Sequence, residues 1–294
     1  MEKTIEQFIS FLRDMKNVSE NTAVSYRRDL LKMANYFKEQ GITSVDKITA
    51  TSMNSYILWL EKTGCASSTI SRYIASIKSY FQYLMQKHEI DEDPTMLLKG
   101  PVIEKKNPSV LSVSKVDLLL AQPSGDTPKE IRDKAMLELL YATGMRVSEL
   151  INLKISDINL NLGYITCKDK NKERIIPFGL TAKRAVNTYM EKSREQLLKG
   201  NESELLFLNC SGKSMSRQGF WKIIKSYGEQ AGIEDEITPH TIRHSFALHL
   251  VENGANLHAV QEMMGHSVVT TTQMYANMKS SKISEEYAKA HPRK

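Results

Sequence analysis

The sequence predicts a mainly helical protein of two domains: an amino-terminal four-helix domain and an α-rich carboxy-terminal domain holding a small antiparallel β-sheet. Three observations carry this. Apolar residues recur at three- and four-residue spacing through most of the chain, as helices with one buried face require. A stretch around residues 163–179, GYITCKDKNKERIIPFG, instead reads as two short strands about a polar turn. Pro94, Pro101 and Pro108 fall in a segment too proline-rich for continuous helix, which separates the two patterns. A chain of 294 residues that is 41% apolar can bury two cores.

The first domain, expected over residues 1–88, takes its first helix from Ile5, Phe8, Ile9 and Leu12. Ser19 is a suitable N-cap for ENTAVSYRRDLLKMANYFKEQ, which should stop at Gly41. A third helix is expected near residues 52–62, before Gly64. The fourth, near residues 68–87, carries Ile70, Ile74, Ile77, Phe81 and Leu84 in one stripe. Arg27, Arg28, Arg72 and Lys78 share these helices with Tyr26, Tyr73 and Tyr80. Such a mix fits phosphate contacts with rings against sugars, and equally a solvated helix face. Residues 89–108 read as a linker made basic by the pair Lys105 and Lys106.

The second domain is expected over residues 109–294. Helices are predicted at residues 114–121 and 128–142, the latter opening on Pro128. Gly144 should end that helix, and Arg146 should open the next, with Glu149 placed to orient it. After the hairpin come a helix at residues 181–199, a strand ELLFLN, a turn CSGKS and a helix at residues 216–231. The SGKS lacks the first glycine of a phosphate-binding loop, since Phe207 stands there, and reads as a turn.

The next stretch, TPHTIRHSFALHLVENGANLHAVQEMMGHSVVTTTQMY, holds the chemistry. On a helix after Pro239, His240, Arg243 and His244 fall at i, i+3 and i+4 and share a face that would attract an anion. Asn253 and Gly254 should close that helix, residues 255–264 should form another ended by Gly265, and Ser267 should cap a short helix carrying Tyr275. Two turns are thus spent placing His266 and Tyr275 near a basic face. A zinc site on His240 and His244 would want Glu after the first histidine, where Thr241 stands, and Arg243 would lie beside the metal.

Composition constrains the rest. Lys and Arg total 40 against 34 Asp and Glu, a net +6 that fits a polyanion partner without demanding one. Cys65, Cys167 and Cys210 match no metal or redox spacing, which points to reduced thiols in a cytoplasmic protein. The start, MEKTIEQFISFLRDM, reads as neither signal nor transit peptide, and no apolar run reaches membrane-spanning length.

ATGMRVSEL, HTIRHSFALHL and MGHSVVTTTQMY together resemble the signature of the tyrosine recombinases, and within them the Xer group. VSENTAVSYRRDLLKMANYF is similar to their core-binding, SAM-like amino-terminal domain. The resemblance implies a site-specific recombinase that cuts and rejoins DNA through a 3′-phosphotyrosyl intermediate, without metal, ATP or cofactor. It implies Arg146, His240, Arg243, His266 and Tyr275 as catalytic residues, and a lysine in the hairpin turn. The usual Gly-Lys-Gly-Asn-Lys-Glu-Arg is here Lys168-Asp169-Lys170-Asn171-Lys172-Glu173-Arg174, one residue shorter. Counting forward from Arg146 selects Lys170; counting back from Pro177 meets Asp169, which cannot serve. Lys170 is taken, with Lys168 as the alternative and Lys172 less favoured.

The family further implies double-stranded DNA as partner, a homo- or hetero-tetramer on two sites with a paralogous recombinase as one option, and a carboxy-terminal tail that packs into a neighbouring subunit. That tail reads as a short amphipathic helix and a loose basic end. Chromosome-dimer resolution is the expected role. A mobile-element integrase and a DNA-binding protein without chemistry are the alternatives.

Overall fold

The computed structural model describes residues 1–101, 109–169, 172–265 and 290–292, which divide into two compact units, Met1–Lys106 and Asn107–Lys294. In the first unit, α1 (Glu2–Asp14), α2 (Glu20–Glu39), α3 (Ala50–Lys62) and α4 (Ser67–Gln86) form a helical bundle. Ile5, Phe8, Ile9 and Leu12 are all buried, as their spacing requires. Ser19 accepts from Thr22 N and starts α2, and Gly41 at φ +77° ends its last turn. α3 begins two residues earlier than expected because Thr49, with Ser52, makes a reciprocal cap. Ile90 and Leu98, beyond α4, are buried in the same core.

The second unit is built around α6 (Pro128–Thr143), which follows α5 (Val113–Ala121). Residues 135–143 of α6 are buried on every side, so this helix is a central one rather than a surface one. After α7 (Val147–Ile151), β1 (Ile158–Asn159), β2 (Tyr164–Asp169) and β3 (Lys172–Pro177) form an antiparallel sheet in that order. The β2 and β3 hairpin matches expectation, with Cys167 opposite Arg174. β1 was not predicted, being only two residues long.

Two expectations fail here. The helix expected over residues 181–199 is broken into α8 (Leu180–Lys192) and α9 (Arg194–Leu198). At the break the Ser193 hydroxyl donates to Pro128 O at 2.6 Å and the Arg194 guanidinium turns to Ser203 O and Leu205 O. The strand expected at ELLFLN makes a single bridge, Leu205 to Lys154. The Leu205 and Leu206 carbonyls accept from Arg194, and that of Leu206 also from the Tyr189 hydroxyl, so these two are not available to a neighbouring strand. CSGKS is a turn: Asn209 Oδ1 accepts from Ser211 N and Lys213 N.

α10 (Arg217–Gln230), α11 (Pro239–Glu252) and α12 (Leu257–Met264) complete the described scaffold. Near the chain's end, Ala290 and His291 are buried, the His291 ring lying 5.1 Å from that of Tyr141 and 5.7 Å from that of Phe246. The end is therefore not loose at those two positions.

Candidate active site

The site begins with the cap of α11. Thr238 accepts from Thr241 N at 3.1 Å while Thr241 accepts from Thr238 N at 3.2 Å, and Pro239 occupies the first turn. This fixes the helix phase. Arg243 then points inward, only 5% exposed, while His240 is exposed and His244 half-buried. An arginine is tolerated inside because its guanidinium donates to Gly144 O and to Met264 O, carbonyls at the C-terminal ends of α6 and α12. Helix C-termini carry unpaired carbonyls and partial negative charge, which suits a buried cation. Burial, and then the nearby Arg146 charge, pull the Arg243 pKa down to about 10, so it stays charged at neutral pH.

Arg146 is placed by the end of α6 and the start of α7. Gly144 adopts φ +57°, and a Cβ there would lie 2.2 Å from the Phe246 ring, so only glycine lets α6 end this close to α11. Arg146 caps α7, and Glu149 reaches back to it, accepting from Arg146 N at 2.7 Å and from Nη1 at 3.0 Å. Nη2 donates to Gly265 O at 2.8 Å.

Sequence reasoning missed a third guanidinium. Arg174, 8% exposed on β3, donates through Nε to Met263 O at 2.9 Å and through Nη2 to Glu149 Oε2 at 2.7 Å. The signal was present. Strand alternation puts Arg174 on the face of buried Ile176 and leaves Ile175 outside, so a charged residue sat on the inward face of the hairpin. Three successive carbonyls at the end of α12, those of Met263, Met264 and Gly265, thus each accept from a different arginine.

Arg146 and Arg174 bond the one carboxylate of Glu149, and Arg243 lies within reach of its charge, leaving a local excess of positive charge. Burial alone would raise the Glu149 pKa, but the Arg174 hydrogen bond and charge, then Arg146, hold it below its ordinary value. His244 is pushed below the ordinary histidine value by burial, then by His240 and Arg243. Such a site favours an anion with oxygens placed for planar forks.

A groove of about 530 Å³ runs from Arg146 past Asn152 and Lys154 to Thr166 and Lys168. Lys168 is exposed, its Nζ 3.9 Å from Asp157 and 3.8 Å from Glu173. Lys170, His266 and Tyr275 lie outside the described residues. Among the described residues no three His, Cys, Asp or Glu side chains group as metal ligands, and no helix is long and apolar enough to cross a membrane.

In the amino-terminal unit, Arg27 pairs with Glu6 at 2.6 Å and Arg72 with the buried Asp29. Arg28 is exposed along a shallow groove shared with Lys32, Asn35, Tyr36 and Trp59, and Lys78 is partly exposed. Lys32 lies 5.3 Å from the centres of both the Trp59 and Tyr73 rings.

Residues 109–282 match the phage integrase family, and residues 5–88 match the N-terminal SAM-like domain of phage integrases. The chain is 45% identical over 294 residues to tyrosine recombinase XerD of Staphylococcus epidermidis, covering 100% of both chains. It is 45% identical over 296 residues to tyrosine recombinase XerD of Oceanobacillus iheyensis, covering 100% of this chain and 99% of that one. Among solved structures, the XerH site-specific recombinase bound to its difH substrate superposes with TM-score 0.70 at 22% identity, covering 98% of this chain and 82% of that one. A lambda integrase (75–356) dimer bound to a COC′ core site gives TM-score 0.70 at 15% identity, covering 100% and 97%. At these identities the structural likeness concerns the fold.

Proposed function

The chain belongs to the phage integrase family and is a Xer-like tyrosine recombinase, an enzyme of site-specific DNA recombination, and from that premise we propose that it resolves chromosome dimers, with Arg146 and Arg243 holding the scissile phosphate. The chromosomal role rests on the 45% identity to XerD over the full chain, and the observation that carries the phosphate-holding role is the joint anchoring of these two arginines. They come from distant parts of the sequence, and they donate to the adjacent carbonyls of Gly265 and Met264. Residue 266 follows directly.

A phosphodiester carries one negative charge, and its pentacoordinate transition state gathers more on the equatorial oxygens. Donors fixed before the reaction stabilise that charge without reorganising. In the proposed reaction, Tyr275 Oη attacks phosphorus and loses its proton, with His240 as base. The Tyr275 O–P bond forms, the P–O5′ bond breaks, and Lys170 protonates the departing 5′ oxygen. His266 donates to a phosphate oxygen. The phosphotyrosyl ester conserves the bond energy, so a second 5′-hydroxyl can reverse the step on another strand without ATP, metal or cofactor.

Exchange of two duplexes takes cleavage of every strand, which fits a tetramer on two sites, either of identical chains or with a paralogous recombinase. XerH is bound to its difH substrate and the lambda integrase dimer to a COC′ core site, and double-stranded DNA is the substrate proposed here. Arg27, Arg28, Arg72 and Lys78 are proposed phosphate contacts of the amino-terminal unit.

The test is a suicide substrate, nicked near the cleavage position, on a chromosomal site located by footprinting. Wild type should trap a covalent adduct in EDTA, and Tyr275→Phe should give none. An adduct that survives Tyr275→Phe would overturn the assignment of the nucleophile.

A further inference from the structure

We propose that Arg174 is a positioning residue of recombination: from the inward face of β3 it sets the aim of Arg146 and the place of the turn at Gly265. This rests on the reading of Arg146 as a phosphate-holding group. The contacts form a closed ring. Arg174 donates to Glu149 Oε2, Glu149 accepts from the backbone and side chain of Arg146, Arg146 donates to Gly265 O, and Arg174 donates to Met263 O two residues earlier. Each member is held by its two neighbours, so Arg146 cannot swing without displacing either Glu149 or the last turn of α12.

The ring also settles where the charge of Glu149 goes. With one arginine beside it, that carboxylate would draw Arg146 into a full ion pair and cancel the charge the phosphate needs. Arg174 takes hold of one carboxylate oxygen from the other side, at 2.7 Å, so two cations share a single anion. The geometry requires a planar fork. Nε and Nη2 of one guanidinium point to a carbonyl and a carboxylate at once, which a lysine ammonium cannot reproduce in one plane. The space is filled to match: a Cβ on Gly265 would lie 3.0 Å from Arg174 Cζ, so the guanidinium lies directly against the turn.

A staple with no role in chemistry would make the same contacts, and the chemistry of the substrate separates the two. If Arg174 acts by aiming Arg146 at a charged oxygen, its loss matters only while that oxygen is charged. A methylphosphonate at the scissile position removes the charge and keeps the ester. The experiment uses the full chain on a nicked site, measuring the rate of single-turnover adduct formation, DNA affinity and thermal melting for wild type, Arg174→Lys and Arg146→Ala, on phosphodiester and methylphosphonate.

Arg174→Lys should bind DNA as wild type does, form adduct up to about 100-fold more slowly on the diester, and lose most of that deficit on the methylphosphonate. An equal deficit on both substrates, or none on the diester, overturns the proposal. Arg146→Ala is the control for the underlying reading. If its deficit persists on the methylphosphonate, the role of Arg146 itself fails; if its deficit vanishes while that of Arg174→Lys persists, only the Arg174 proposal fails. Should Arg174→Lys melt too low to assay, Glu149→Gln cuts the same coupling from its other side. It must show the same contrast between substrates, and an equal loss on both overturns the proposal.

Discussion

The amino-terminal unit and the candidate site of the carboxy-terminal unit fasten their arginines in different ways. In the amino-terminal unit, Arg13 meets Glu20, Arg27 meets Glu6 and Arg72 meets Asp29, each charge answered by a full opposite charge. At the candidate site, Arg146, Arg174 and Arg243 are held chiefly by the carbonyls of Gly144, Met263, Met264 and Gly265, and only Arg146 and Arg174 share the single carboxylate of Glu149. A helix C-terminus carries only about half a negative charge. It can orient a guanidinium without cancelling it. Held by carbonyls, these arginines keep the charge an anion site needs, while a carboxylate partner reduces what an arginine offers to a phosphate.

The largest test of this contrast is Arg243→Ala. Adduct formation should fall by about 10²- to 10³-fold, the usual cost of one preorganised donor. The variant should also melt earlier, because Gly144 O and Met264 O lose a charged partner inside the protein, at about 1–3 kcal/mol for a buried group left unsatisfied. Arg243→Lys should keep part of the stability and little of the rate, since it restores charge but not the fork. Single-turnover rates with calorimetry check both, and a wild-type rate for Arg243→Ala would break the comparison.

Next in size is Gly144→Ala. Left-handed backbone costs a side chain about 1–2 kcal/mol, and forcing a methyl against Phe246 adds about 1–3 kcal/mol of overpacking. Gly41→Ala in the first unit is also at positive φ, +77°, but has nothing within 4 Å of the added carbon, so it should lose only the backbone share. Urea denaturation of both variants measures the difference. Equal losses would mean that the α6 and α11 approach tolerates a methyl group.

A smaller effect should appear in DNA binding. Arg28→Ala should weaken affinity and reduce the slope of log K against log salt by about one phosphate contact. Arg27→Ala should change the slope less, because Arg27 must first leave Glu6. A larger change for Arg27 would show that the Glu6 pair dissolves on DNA.

Much of this is legible in the sequence. The stripes of α1 and α4, the cap Ser19 and the Gly144 stop are local signals, and local signals survive folding. What was hidden depends on tertiary partners. Nothing near Ser193 in the sequence announces that its hydroxyl bonds to Pro128, which breaks α8 from α9. ELLFLN has the composition of a strand, yet Arg194 and Tyr189 take the carbonyls of Leu205 and Leu206. At the site, spacing placed His240, Arg243 and His244 on one face. It could not tell that Arg243 turns inward to two helix ends while His240 remains outside. Arg174 had a signal in strand alternation, but a lone arginine on a strand carries no mark of its target.

Asp29 offers the subtlest way to sharpen the contrast, because its pair with Arg72 is a carboxylate fastener inside the first unit. Its Oδ1 is buried without a hydrogen-bond partner among the described residues. Burial raises its pKa above the ordinary aspartate value, and the Arg72 hydrogen bond only partly offsets this. The folded state therefore holds the Asp29 proton more tightly than the unfolded chain does. Its contribution to stability is fully present below the unfolded pKa, near 3.9, and is lost as pH rises through the raised folded value. Asp29→Asn removes that dependence. Arg72 can accept the loss of its partner, since its side chain is 34% exposed and water can solvate the charge. Melting of the full chain between about pH 3 and 7 should show wild type losing stability relative to Asp29→Asn as pH rises, with the variant no less stable at neutral pH. A variant that melts well below wild type at neutral pH would mean that the carboxylate fastener outweighs its desolvation, and that the two units differ less than their contacts indicate.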